Sequence, residues 1–165
     1  MQKKNLTILA INPGTKCLGI AVFQNADLRD WRIKAINGKW SQEKLEMILS
    51  IISNFISRYQ PDAIALKEIH PSRSSDNLNG LYVAIQKLAQ KRRLLLRRYS
   101  IKDLEKFYSP GERINKRQLA EIIGIEYPAL LYALESERNH KNRYFIRMFE
   151  AVALGAVCLE KCMNI

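Results

Sequence analysis

Histidine and cysteine are scarce in this chain of 165 residues, which holds only His70 and His140 and three cysteines, Cys17, Cys158 and Cys162. An odd cysteine count without framework spacing excludes a disulfide-stapled scaffold and predicts a reduced, cytoplasmic setting. Cys158 and Cys162 share a helix face at i, i+4. With two histidines elsewhere they are expected to be core thiols rather than a metal pair. Long apolar runs are missing as well. None approaches the roughly 18 residues of a membrane span, and no N-terminal stretch resembles a signal peptide, so no membrane partner is expected. There is no internal repeat, low-complexity tract or linker, which predicts a single domain over 1–165.

Acidic residues are the third shortage. Sixteen Asp and Glu face twenty-seven Lys and Arg, a net charge of +11. Such an excess points to a polyanionic partner, nucleic acid before a membrane surface.

What the chain does have is a clear order of elements. Residues 6–12 are an apolar run ending in Asn-Pro-Gly, a buried strand entering a turn. Residues 17–23 and 27–36 come closely enough after it for an antiparallel meander, the third strand being the more exposed. The period then changes. Leu45, Ile48, Leu49, Ile52, Phe55 and Ile56 mark an amphipathic helix that Ser41 caps. A short apolar strand at 62–69, a helix over 74–93 and a strand at 94–99 come next. A short helix then spans 100–108. Asn115 and Gln118 have capping-box spacing and open another helix. Residues 127–138 read as helical, with Leu130, Leu131 and Leu134 on one side. The last helix, about 143–161, is apolar nearly all round and must be buried. The prediction is an α/β domain with a mixed five-stranded sheet, three antiparallel strands and then two parallel ones, flanked by helices.

Four stretches, in this order, carry a resemblance. "ILAINPGTKCLGIAVF", "QPDAIALKEI", "SIKDLEKFYSPGERINKRQLAEII" and "RMFEAVALGAV" resemble segments of the RuvC family of Holliday junction resolvases, from about residue 7 to 158. The resemblance implies an RNase H-like fold, a homodimer and branched DNA as partner, favoured over RNA. It also implies four carboxylates around two divalent cations. Matched position by position, those carboxylates fall on Asn12, Lys67, Arg147 and Glu150, and only Glu150 is acidic. Two-metal hydrolysis needs cations about 3.5–4 Å apart, held by hard anionic oxygens. A net-positive set with one carboxylate opposes that, so no metal ligand and no cofactor is expected. Glu68 adjoins Lys67 and would restore an acid if it faced the site, but strand neighbours point to opposite faces.

Two readings of the altered pocket stay open. In one, Lys67 and Arg147 fill the metals' space and satisfy Glu150 as an internal ion-pair cluster. In the other they hold a phosphate directly. A nucleic-acid surface is expected from three basic runs. The first holds Lys91, Arg92, Arg93, Arg97 and Arg98; the second Arg113, Lys116 and Arg117; the third Arg138, His140, Lys141 and Arg143. Lys116 matches the family's lysine in that helix, and Arg73 is expected at the pocket's mouth. Phe107 lies near the family's wedging aromatic but is expected to be buried by its own short helix.

The favoured function is structure-selective binding of branched DNA, such as a four-way junction, with two-metal nuclease activity lost or weak. One alternative is an active junction endonuclease with a rearranged site, using Glu150, Glu68 and Asn12 or His140 around a single Mg²⁺ or Mn²⁺. The other is a protein-interaction scaffold.

Overall fold

The computed structural model describes residues 5–139 and 145–163. Its centre is a five-stranded sheet in the order β3-β2-β1-β4-β5, with β1 Thr7–Asn12, β2 Cys17–Gln24, β3 Asp27–Ala35, β4 Ala63–Lys67 and β5 Leu95–Tyr99. The first three strands are an antiparallel meander, while β4 runs parallel to β1 and β5 parallel to β4. The helices are α1 Gln42–Tyr59, α2 Asp76–Lys91, α3 Ile101–Tyr108, α4 Lys116–Glu126, α5 Leu131–Asn139 and α6 Ile146–Met163. None of the helices among the described residues is long and apolar enough to cross a membrane.

The two-residue period of the strands sorts side chains into two cores. Ile8, Ala10 and Ala65 face α6, while Leu9, Ile11, Ile64 and Leu66 face α1 and α2. The α6 side carries the smaller residues because that helix lies close on the sheet. A Cβ on Gly155 would sit 2.6 Å from the Phe23 ring, so glycine there sets the approach. Strand parity also places the residue after each apolar run. Asn12 succeeds Ile11 and Lys67 succeeds Leu66, so both turn to the α6 face at the C-terminal ends of their strands.

Local signals agree with the caps. Ser41 accepts from the Lys44 N–H, and Asn115 and Gln118 close a reciprocal capping box at α4. The last helix buries Met148, Phe149, residues 151–154 and residues 157–159 against the sheet. Two expectations need correction. Phe107 is 38% exposed, because the short α3 buries Leu104 on its inner face instead. Leu131 is also exposed. Residues 128–130 form a 3₁₀ turn, which rotates the following helix so that Ala133 and Leu134 face inward.

Candidate nucleic-acid interface

At the C-terminal ends of β1 and β4 a cavity of about 360 Å³ opens beside the start of α6. Asn12, Lys67, Arg73, Lys116, Arg147 and Glu150 all line it. Glu150 comes from the second turn of α6 and is almost wholly buried. Its Oε2 accepts from the Asn12 Nδ2 at 2.9 Å and pairs with the Lys67 ammonium. Its Oε1 has the Lys116 Nζ at 3.5 Å, close enough for attraction but without a hydrogen bond. Burial alone would raise this carboxyl's pKa. The charges of Lys67 and Lys116 and the hydrogen bonds from Lys67 and Asn12 outweigh it, and the group lies below its ordinary value. Lys67 is itself pushed down, first by burial and then by Lys116 and Arg147, with Glu150 opposing.

Arg147 does not pair with Glu150, the contact that the ion-pair reading of the pocket gave it. Its Nη1 donates to the Pro13 carbonyl at 3.2 Å. Gly14 makes that possible, since a Cβ there would lie 2.6 Å from the same nitrogen. The Asn-Pro-Gly turn thus holds the guanidinium at the edge of the cavity, and Lys116 takes the place at Glu150 that Arg147 was expected to fill. Sequence reasoning missed this contact because α4 and α6 are joined only through tertiary packing.

Glu68 comes directly after β4 and is exposed on the cavity rim, continuing the ladder by donating its N–H to the Tyr99 carbonyl at 2.9 Å. Lys67, not Glu68, contacts Glu150. Arg73 reaches the mouth from a 3₁₀ turn over Pro71–Arg73, which His70 caps by accepting the Ser72 N–H at 3.2 Å. Arg113 and Arg117 are exposed before and within the first turn of α4.

Arg92 and Arg93 are not part of this assembly. They precede β5, whose first residue pairs with Ala63, whereas the cavity lies at the Lys67–Tyr99 end. Strand rise separates the two ends by about 13 Å. Arg92 donates to Ser53 Oγ at 2.8 Å, and Arg93 adopts φ 56° in the turn from α2 to β5. His140, Lys141 and Arg143 lie outside the described residues.

The residues present do not fit a two-cation cluster. A hard divalent ion wants several oxygen ligands, and here one carboxylate is already engaged by two ammonium groups and an amide N–H. Among the described residues no three His, Cys, Asp or Glu side chains gather as a metal site. What the arrangement offers is fixed positive charge at a concave edge, suited to phosphate oxygens.

No protein-family model and no curated protein matches the sequence. Solved structures do match, and the fold they define is the RuvC-like form of the RNase H fold. The Thermus thermophilus RuvC in complex with a Holliday junction substrate superposes with a TM-score of 0.72 at 16% identity, over 96% of this chain and 97% of that one. The yeast mitochondrial Holliday junction resolvase Ydc2 gives 0.67 at 14%, over 95% and 80%. The fowlpox virus resolvase in complex with Holliday junction DNA gives 0.58 at 14%, over 93% and 99%. Identities this low establish the shared fold.

Proposed function

We propose that this chain is a structure-selective nucleic-acid-binding protein that engages branched DNA, in preference to RNA, as a homodimer, with two-metal nuclease activity lost or weak. The observation that carries this reading is the state of Glu150. Its carboxylate is bound by Lys67 and Asn12 and faced by Lys116, which supports a site whose acid is engaged by the protein's own cations rather than left for metal ions. The net charge of +11 and the cations at the cavity edge supply the attraction for a phosphate backbone. Branched DNA is the partner favoured because two of the matching structures are complexes with Holliday junctions.

The test is competition in EDTA. A labelled four-way junction bound to the protein is challenged with unlabelled junction or unlabelled linear duplex of equal length. Junction that competes at least tenfold better supports the reading. Equal competition, or stronger competition by a folded RNA, overturns the selectivity claimed.

One observation favours the rival reading of an active enzyme. Glu68 is exposed on the rim of the same cavity as Glu150, so two carboxylates border one space. A single Mg²⁺ or Mn²⁺ between them would displace Lys67, and cleavage would then depend on both acids.

A further inference from the structure

A second cavity, about 550 Å³, opens at the free edge of β5. Arg97, Arg98 and Lys161 line it, and among the described residues Glu68 is its one acidic member. It is built by the edge strand. Tyr99 and Arg97 alternate with Arg98, so the two arginines leave opposite faces of β5 and flank its rim. Lys161 arrives from the last turn of α6, where the helix dipole favours a cation, and its Nζ stands 5.3 Å from the centre of the Tyr99 ring. Among the described residues, none of these three cations has a carboxylate within salt-bridge distance. Arg98 shares a side-chain hydrogen bond with Tyr82, which fixes it without neutralising it, so the cluster keeps its positive charge for a ligand.

This cavity adjoins the first. Glu68 lines both, and Lys67 and Tyr99 are register partners on adjacent strands. Adjacent strands lie about 4.8 Å apart, and a nucleic-acid strand carries a phosphate every ~3.4 Å of rise. The ends of two adjacent strands thus carry both cavities side by side, close enough for one nucleic-acid strand to border both.

We propose that the edge cavity is a second backbone-phosphate site, so that one strand passes from the Lys116–Arg147 cavity across Glu68 to Arg97, Arg98 and Lys161. This rests on the proposed nucleic-acid binding. Glu68 is then a repulsive divider between two phosphate positions, which distinguishes it from a metal ligand. Its removal tightens binding.

The structure supplies its own reporter. Cys162 lines the edge cavity and is partly exposed, whereas Cys158 is buried and its thiol is pushed up to about 12, chiefly by burial and by Cys162. In a Cys17→Ser background, modification by a thiol reagent at pH 8 reports on Cys162. The experiment measures that rate with and without saturating four-way junction, and measures junction affinity against salt for R97Q/R98Q/K161Q and for E68Q.

The expected results are at least fivefold protection of Cys162, roughly tenfold weaker binding with a shallower salt slope for the triple variant, and tighter binding by E68Q. Junction binding that leaves Cys162 reactive, with the triple variant unchanged, overturns the second site while leaving the binding function intact. Absence of junction binding by the wild-type protein overturns both. E68Q that binds equally well while abolishing metal-dependent cleavage overturns the divider role and favours the enzyme.

Discussion

Lys67 and Glu150 stand 83 residues apart in the sequence and meet as an ion pair where the end of β4 passes the second turn of α6. Glu150 has almost no water to fall back on, since its side chain is 3% exposed, while that of Lys67 is 15% exposed at the cavity. A buried pair of this kind is stabilising only while both members are present.

Lys67→Met therefore destabilises the protein by about 3–5 kcal/mol, because Glu150 keeps its charge and loses its closest partner. The double variant K67M/E150M recovers most of that loss. Urea unfolding at pH 7 of the two single variants and the double variant completes the cycle. Equal loss in single and double variants would mean the pair contributes only packing.

Acid removes the same interaction. The folded-state pKa of Glu150 lies below the ordinary carboxyl value of 4.5. Its contribution is thus complete above that ordinary value and disappears as the pH falls through the lowered one. The stability difference between the wild-type protein and E150Q is expected to be constant from pH 7 to about 5 and to shrink below about 4. A difference that persists unchanged at pH 3 would show that the charge of Glu150 is not what stabilises.

Restoring acids at the matched positions should restore a metal site. The triple variant N12D/K67E/R147D places three more carboxylates around Glu150, and it is expected to bind Mn²⁺ by titration calorimetry where the wild-type protein does not. A folded triple variant without Mn²⁺ affinity would count against the positional match.

Two glycines give opposite signs. A Cβ on Gly19 would run into the backbone carbonyl of Arg147, so Gly19→Ala forces α6 away from β2 and costs ~2 kcal/mol or more. Gly80 lies within α2 with nothing within 4 Å of the added carbon, so Gly80→Ala stabilises by about 1 kcal/mol. Thermal unfolding of both variants checks the pair, and a stable G19A would remove the close approach as a constraint on the site.

Neutralising Arg73 and Lys116 is expected to weaken junction binding roughly tenfold and to lower the salt slope, by ~0.9 per lost phosphate contact. Neutralising Arg92 and Arg93 changes it far less, since they sit at the other end of the sheet. Fluorescence anisotropy across a salt series separates the two. The reverse order would move the binding surface to that end.

The strands and most helices were legible because each apolar run has one dominant period, and parity within β4 already favours Lys67 over Glu68 at the site. The faces of α3 and α5 were not. In the eight-residue α3 two adjacent apolar residues, Phe107 and Tyr108, leave the inward face undetermined, and the 3₁₀ turn that ends at Leu130 resets the face of α5 from Leu131 onward. Nor does a basic run state which end of the sheet it occupies, which is why Arg92 and Arg93 read like Lys116. The contact of Lys116 with Glu150 and the retention of Arg147 by Pro13 depend on how α4 and the first turn pack around α6. No local signal encodes that. Lys161, a single lysine beside Glu160 near the end of the last helix, gave no hint of the edge cavity.

The central claim is that Lys67 and Lys116 have replaced metal chemistry at Glu150. The most direct test incubates the wild-type protein with a labelled four-way junction and Mn²⁺, then resolves the same tube on native and denaturing gels. Retarded junction with every strand intact is the predicted result. Symmetric, Mn²⁺-dependent nicks near the branch point would contradict it.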